Sequence, residues 1–172
     1  MNAIPQFLTN FRLYSNGNVL LGVEGEITLP NFENIAETIS GAGILGEFES
    51  PVPGAFKSLS IEVGFRVLVQ DLFNLAAQAG SASLTFRGSQ QINDITAGGI
   101  INQGVRIETR GPVKSLDGGK ASVGKPTDSK FKQEILFIAI YLDDVEALVL
   151  DKLNYVYRLQ GVDQLTGILQ NL

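Results

Sequence analysis

The sequence predicts a mainly β fold of antiparallel strands with one α-helix lying on a sheet, and three observations carry that prediction. Apolar and polar residues alternate with a period of two over Val19–Leu29 and again over Ser58–Val67, as half-buried strands require. The dipeptide Asn16-Gly17 stands just before the first of these runs, and Asn-Gly is a strong signal for a tight hairpin turn. One segment, Leu68–Ala79, shows helical spacing instead.

Along the chain, Phe11–Tyr14 is the expected hairpin partner of Val19–Leu29. In that second strand Val19, Leu21, Val23, Ile27 and Leu29 share one face, and Glu24, Glu26 and Thr28 share the other. Asn31–Ser40 supports two readings. Phe32, Ile35, Ala36 and Ile39 have helical spacing behind Asn31 as N-cap, while Ile35 and Ile39 set against Ala36 and Thr38 also fit a strand; the local pattern favours the helix. Gly41–Ala55 shows neither period and reads as a long loop. It carries Ile44, Leu45, Phe48 and Val52, and so much apolar surface on a loop points to packing on a neighbouring chain.

Leu59, Ile61, Val63, Phe65 and Val67 face one way, against Ser58, Ser60, Glu62 and Arg66. Leu68, Leu72, Leu75, Ala76 and Ala79 then form a helical stripe, with Gly80 in the place of a left-handed C-cap residue. Strands follow at Ala82–Gln90 and at Ile100–Arg110, where Ile101, Val105 and Ile107 share a face. Phe131–Leu142 is apolar on both faces from Leu136 onward, which predicts a central strand covered on both sides. Arg110–Lys132 is a glycine-rich, locally basic excursion carrying Lys114, Lys120, Lys125, Lys130 and Lys132. Val162–Leu169 predicts a second, shorter helix, weakened by Gly167.

Composition narrows the function classes. A chain of 172 residues suits one domain spanning 1–172, with a substantial core of its own. Without cysteine there are no disulfides, thiolate zinc sites or thiol nucleophiles. Without histidine the chain lacks the side chain most often used as a base near neutrality and the commonest transition-metal ligand. A net charge of −5 disfavours a grip on nucleic acid or on an acidic membrane. Met1-Asn2-Ala3-Ile4-Pro5 lacks a basic segment followed by an apolar stretch, and the longest apolar run, Ile135–Leu142, is too short to span a bilayer, so neither a leader nor a membrane anchor is expected. Synthesis in the cytosol follows as the expectation.

No motif points to catalysis or to a cofactor. Gly41-Ala42-Gly43-Ile44-Leu45-Gly46 matches the dinucleotide fingerprint in letters, but that motif needs a helix opening directly behind it. Glu47-Phe48-Glu49-Ser50-Pro51-Val52-Pro53 cannot supply one. Asp143-Asp144, with Glu146 and Asp151 nearby, reads as a turn between antiparallel strands rather than a cation site. The lysines of the basic excursion have no aromatic residues interleaved among them and no helix to carry them into a groove. Lys114, Lys120 and Lys125 therefore read as a solvated loop, with a docking surface for an acidic partner as the alternative, rather than as a nucleic-acid site.

Several short motifs, in order and spacing, resemble one family. Gly22 and Ile27-Thr28-Leu29-Pro30 precede Ile39-Ser40-Gly41-Ala42-Gly43-Ile44. Phe86-Arg87-Gly88-Ser89 and Thr109-Arg110-Gly111 follow, and the chain closes with Gln160-Gly161-Val162-Asp163-Gln164-Leu165-Thr166-Gly167 and ends on Leu172. From about Leu8 to Leu172 the chain resembles the major tail tube protein of contractile-tailed bacteriophages and R-type bacteriocins (tailocins). It departs from that pattern at Ile39-Ser40, where the family often has an aromatic residue and Arg, and at Ile44, where it often has Met.

The resemblance implies an antiparallel β-sandwich or barrel with one flanking α-helix, and long hairpins that join a continuous inter-subunit barrel in a hexameric ring. It makes Asn31–Ser40 an extended strand, against its local preference. It implies a structural subunit, not an enzyme, with no cofactor or metal. Its rings stack into a hollow tube that meets the tail sheath, baseplate and tail terminator proteins. DNA passes through the lumen without specific binding, and the tube ends in a virion or tailocin tail after synthesis in the host bacterial cytoplasm. Subunit contacts are expected at Ile35, Ile39, Gly41, Gly43, Ile44, Leu45, Phe48, Val162 and Leu165, and a partner-docking loop at Lys114, Lys120 and Lys125. The resemblance also admits the inner tube of a related contractile injection system, and the residues alone also fit a monomeric β-sandwich binding module or a small β enzyme.

Overall fold

The structure, a computed structural model, describes residues 3–172; Met1 and Asn2, which open the segment read for a leader, lie outside the described residues. One sheet has eight antiparallel strands: β1 (Ala3–Ser15), β2 (Asn18–Val19), β7 (Ala82–Asp94), β8 (Ile100–Gly111), β11 (Phe137–Leu142), β12 (Val145–Asp151), β13 (Val156–Leu159) and β14 (Val162–Asp163). Their spatial order is β14-β13-β12-β11-β8-β7-β1-β2. A second sheet orders β3 (Val23–Thr28), β6 (Ser60–Phe65), β10 (Ser129–Glu134) and β9 (Val113–Asp117) as β3-β6-β10-β9. A third is a hairpin of β4 (Asn34–Ser40) and β5 (Glu47–Phe56). Helix α1 (Gln70–Ala77) and the single turn α2 (Thr166–Leu169) complete the chain.

The core lies between the two larger sheets and under α1. Leu13, Leu84, Phe86, Ile107 and Ile138 come from the first sheet, Ile61, Val63, Phe65 and Phe131 from the second, and Leu72 and Leu75 from the helix. Alternation explains the choice: Ile61, Val63 and Phe65 are buried along β6 while Ser60 and Glu62 are only partly covered. Phe11 and Phe86 stack with ring centroids 5.1 Å apart. Three tight turns use left-handed pairs, Asn16-Gly17 (φ 48° and 82°), Asp143-Asp144 (50° and 61°) and Gln160-Gly161 (50° and 76°), which suits the twist of the hairpins they close.

Two continuous strands expected from the sequence each divide between the sheets. Val19–Leu29 breaks at Gly22 (φ 78°), so that β2 pairs with β1 and β3 pairs with β6. The break resets the alternation: Leu20 is buried and Leu21 is 72% exposed, the reverse of the expected face. Phe131–Leu142 divides at Ile135-Leu136 into β10 and β11, in different sheets. Its second half is central, between β8 and β12, as expected. The basic excursion is also partly ordered, because Val113–Asp117 forms β9 against β10.

The corner near Ile135 is pinned by polar groups. Pro112 O accepts from Glu134 N at 3.0 Å, and Arg110 O accepts from Leu136 N at 3.0 Å. The buried Gln133 donates to the carbonyls of Ala82 and Gly111 and accepts from the Thr109 hydroxyl at 3.0 Å, so its polar atoms are satisfied away from water. A Cβ on Gly111 would lie 1.9 Å from the Glu134 carbonyl oxygen, which requires glycine there. The helix is shorter than its spacing predicts, and Gly80 is not its left-handed cap. Ala79 takes that conformation (φ 37°), one residue earlier.

Candidate assembly surface

Asn31–Ser40 and Gly41–Ala55 are where local patterns mislead most. The first is strand from Asn34, not helix, as the resemblance implies, and the second is not a long loop: Glu47–Phe56 forms β5, paired from Ser40↔Glu47 through Ala36↔Pro51. Pairing across the turn overrides the helical preference of Phe32–Ile39. Pro51 and Pro53 had hidden the alternation of Phe48, Ser50 and Val52 against Glu47 and Glu49. Prolines are tolerated because β5 is an edge strand, and they leave its outer edge poor in donors. The edge of β4 has no proline and stays open to pairing.

Residues paired across an antiparallel ladder share a face. Ile39 pairs with Phe48 and Glu37 with Ser50, so Ile35, Ile39, Phe48 and Val52 gather on one side of the hairpin together with Glu37 and Ser50. Thr38, Ser40, Glu47 and Glu49 occupy the other. Every residue of β4 is exposed, and Phe48 is 51% exposed. Glycines form the tip, with Gly43 (φ 89°) and Gly46 (φ 96°) left-handed. Leu45 at the tip is fully exposed and Ile44 partly so. The structure thus brings Ile35, Ile39, Gly41, Gly43, Ile44, Leu45 and Phe48 into one projecting hairpin. Its fingerprint glycines turn between two strands, with no helix behind them.

The base of the hairpin is anchored. Phe56 meets Tyr157 edge-on at 4.9 Å, and a Cβ on Gly54 would lie 2.6 Å from Leu165 Cδ2. Leu165 is buried there within its own subunit, whereas Val162 is exposed on β14. Glu33 forms an ion pair with Lys57, and Lys152 Nζ donates to Lys57 O at 3.1 Å. Burial opposes ionisation of Glu134, but the Ser58 hydroxyl at 2.8 Å and the Lys114 ammonium at 3.3 Å outweigh it and hold the carboxyl below its usual range. Burial also opposes ionisation of Asp151, and the amide groups of Asn154 and Leu153 hold it low. Both carboxylates therefore contribute stability above the ordinary carboxylate range that is lost as pH falls through their lowered values.

The lysines read as one docking loop are split in space. Lys114 is tied to Ser58 and Glu134 on the hairpin side, while Lys120 and Lys125 stand exposed beyond β9, where Thr127 N donates to Arg66 O at 2.8 Å. A cationic row that no sequence window reveals crosses the outer face of the large sheet. Arg12 pairs with Arg87, and Arg87 with Arg106. Among the described residues no group of acids, histidines or cysteines is arranged to hold a metal, and no helix is long and apolar enough to cross a membrane.

Comparison with known proteins adds the family. The family model for phage tail tube protein FII matches residues 5–172. The tail tube protein of Escherichia phage P2 is 28% identical over 175 residues, covering 99% of this chain and 98% of that protein. The major tail tube protein of Serratia phage KSP20 is 27% identical over 161 residues, covering 92% and 90%. In a cryo-EM structure of an extracellular contractile injection system, the PVC sheath/tube terminator in extended state, one chain matches this fold with a TM-score of 0.57 at 10% identity. The match covers 80% of this chain and 96% of that one.

Proposed function

Because the chain belongs to the phage tail tube protein FII family, we propose that it is the structural subunit of a contractile tail's inner tube and works by self-assembly. The observation that carries this reading is the β4–β5 hairpin, whose side chains Ile35, Ile39, Phe48 and Val52 lie outside the subunit's core and stay 38–51% exposed. A monomeric module has no use for such a face, whereas a repeating assembly covers it at every contact. The chain acts as one tube unit, six copies closing a ring and rings stacking into a hollow shaft. Sheath contraction drives the shaft through the target envelope. The work is mechanical and requires no catalytic residue. A subunit of net charge −5 offers DNA no strong overall attraction, so the lumen lets DNA pass without holding it. Tail sheath, baseplate and terminator proteins are its partners in the virion, and the exposed segment with Lys120 and Lys125 suits an acidic surface on one of them.

The state of the hairpin before assembly is measurable. A two-stranded hairpin without packing is only marginally stable in water, so its amides exchange rapidly in the free subunit. Contact with a neighbour protects them. Hydrogen exchange over Asn34–Ser40 and Glu47–Val52 should therefore slow sharply between subunit and tube, while β6 and β10 stay protected in both. Equal protection of the hairpin in both states would mean that it is preformed and gains nothing on assembly.

A further inference from the structure

The arginine row on the large sheet is electrostatically costly as it stands. Arg12 and Arg87 are directly opposed across β1 and β7, and both are exposed; like charges in that relation repel. Arg106, next in the row, is neutralised by Glu108 and by Asp144 at 3.3 Å and lies over the Tyr141 ring at 4.1 Å. Arg12 and Arg87 have no ion-pair partner among the described residues; Arg87 only approaches the Tyr14 ring, at 5.8 Å. On the hairpin the converse holds. Glu47 and Glu49 stand two residues apart on the polar face of β5, both exposed and likewise without an ion-pair partner among the described residues.

We propose that the Glu47/Glu49 pair of one copy docks on the Arg12/Arg87 pair of the next. The spacings agree: carboxylates at i and i+2 on a strand lie about 7 Å apart, and directly opposed arginines about 5 Å apart at Cβ, within reach of two guanidinium–carboxylate forks. The contact is between subunits. The hairpin is anchored at β13, through Tyr157, and β1 lies five strands away in the sheet order, roughly 24 Å at the usual strand spacing. Acids on one flank and arginines toward the other make a heterologous joint, which closes into rings or propagates. The inference rests on the tube reading and names the surface that receives the hairpin.

The test uses two full-length variants, E47K/E49K and R12E/R87E, with wild type as control, followed by light scattering and negative-stain microscopy. Each variant alone sets like charges at the joint and should lose tubes. Mixed in equal amounts they restore opposite charges at every joint between unlike copies, and tubes should return, alternating in composition. Circular dichroism checks folding, and the milder pairs E47Q/E49Q and R12Q/R87Q replace any variant that does not fold; each should weaken assembly without rescue on mixing. Either charge-reversed variant assembling like wild type, or no recovery on mixing, overturns the contact. So does duplex DNA binding by the wild type that R12E/R87E abolishes, since the row would then be a phosphate site. If the wild type itself makes no tubes, alone or when seeded with preformed tail tubes, the tube reading fails instead.

Discussion

Replacing Ile39 and Phe48 with serine should leave a folded subunit that cannot extend tubes. The two side chains are paired across the hairpin, and neither contributes to the core, so the subunit's own thermal transition should barely move. On assembly each large apolar side chain that becomes fully buried contributes about 1.5–3 kcal/mol. Ile39 is 38% and Phe48 51% exposed in the subunit, so assembly removes only about half of each from water. Losing both weakens every joint by about 1.5–3 kcal/mol, a factor of roughly 10–150 in its equilibrium constant. Sedimentation of the variant at rising concentration should show monomer where wild type has polymerised. Normal tubes from this variant would mean that the apolar face is not buried in the assembly.

Truncation after Leu159 should act on the subunit itself. It removes β14, α2 and Leu165, whose side chain is 3% exposed and fills the space over Gly54. Losing a buried leucine costs about 2–5 kcal/mol, which for a domain of this size lowers Tm by roughly 4–20 °C. The hairpin also loses one of its two apolar anchors, leaving Phe56 on Tyr157, so tubes should be impaired as well as subunits destabilised. An unchanged melting curve together with normal tubes would remove the role given to the C-terminal segment.

Much of the fold was legible wherever one strand keeps one face on the core. Leu59, Ile61, Val63 and Phe65 alternate in sequence and are all buried, and Asn16-Gly17 and Asp143-Asp144 turn as their residue types require. Legibility failed where the chain changes sheet. At Gly22 an apolar run continues through the corner, and at Ile135 the change from one apolar face to two reads as a strand becoming covered on both sides rather than as a change of sheet. It failed again at β5, because proline is read as a strand breaker and an edge strand has no need of those N–H groups.

The assembly surface was half legible. The apolar residues from Ile35 to Phe48 stand out in the sequence as surface without a core to serve, but their gathering on one face depends on the register Ile39↔Phe48. The opposition of Arg12 to Arg87 was beyond any local pattern, since the two are distant in sequence and meet only through strand pairing. The lysines show the converse relation between sequence and space. They cluster in sequence between Lys114 and Lys125, yet β9 carries them apart.

The central claim is that this chain covers its uncovered hairpin by joining copies of itself into a tube. Negative-stain microscopy of the purified, concentrated wild-type protein tests it most directly. Hollow tubes of uniform width with a regular axial repeat are the expected result. A protein that stays monomeric at every concentration, alone and when seeded with preformed tail tubes, would contradict it.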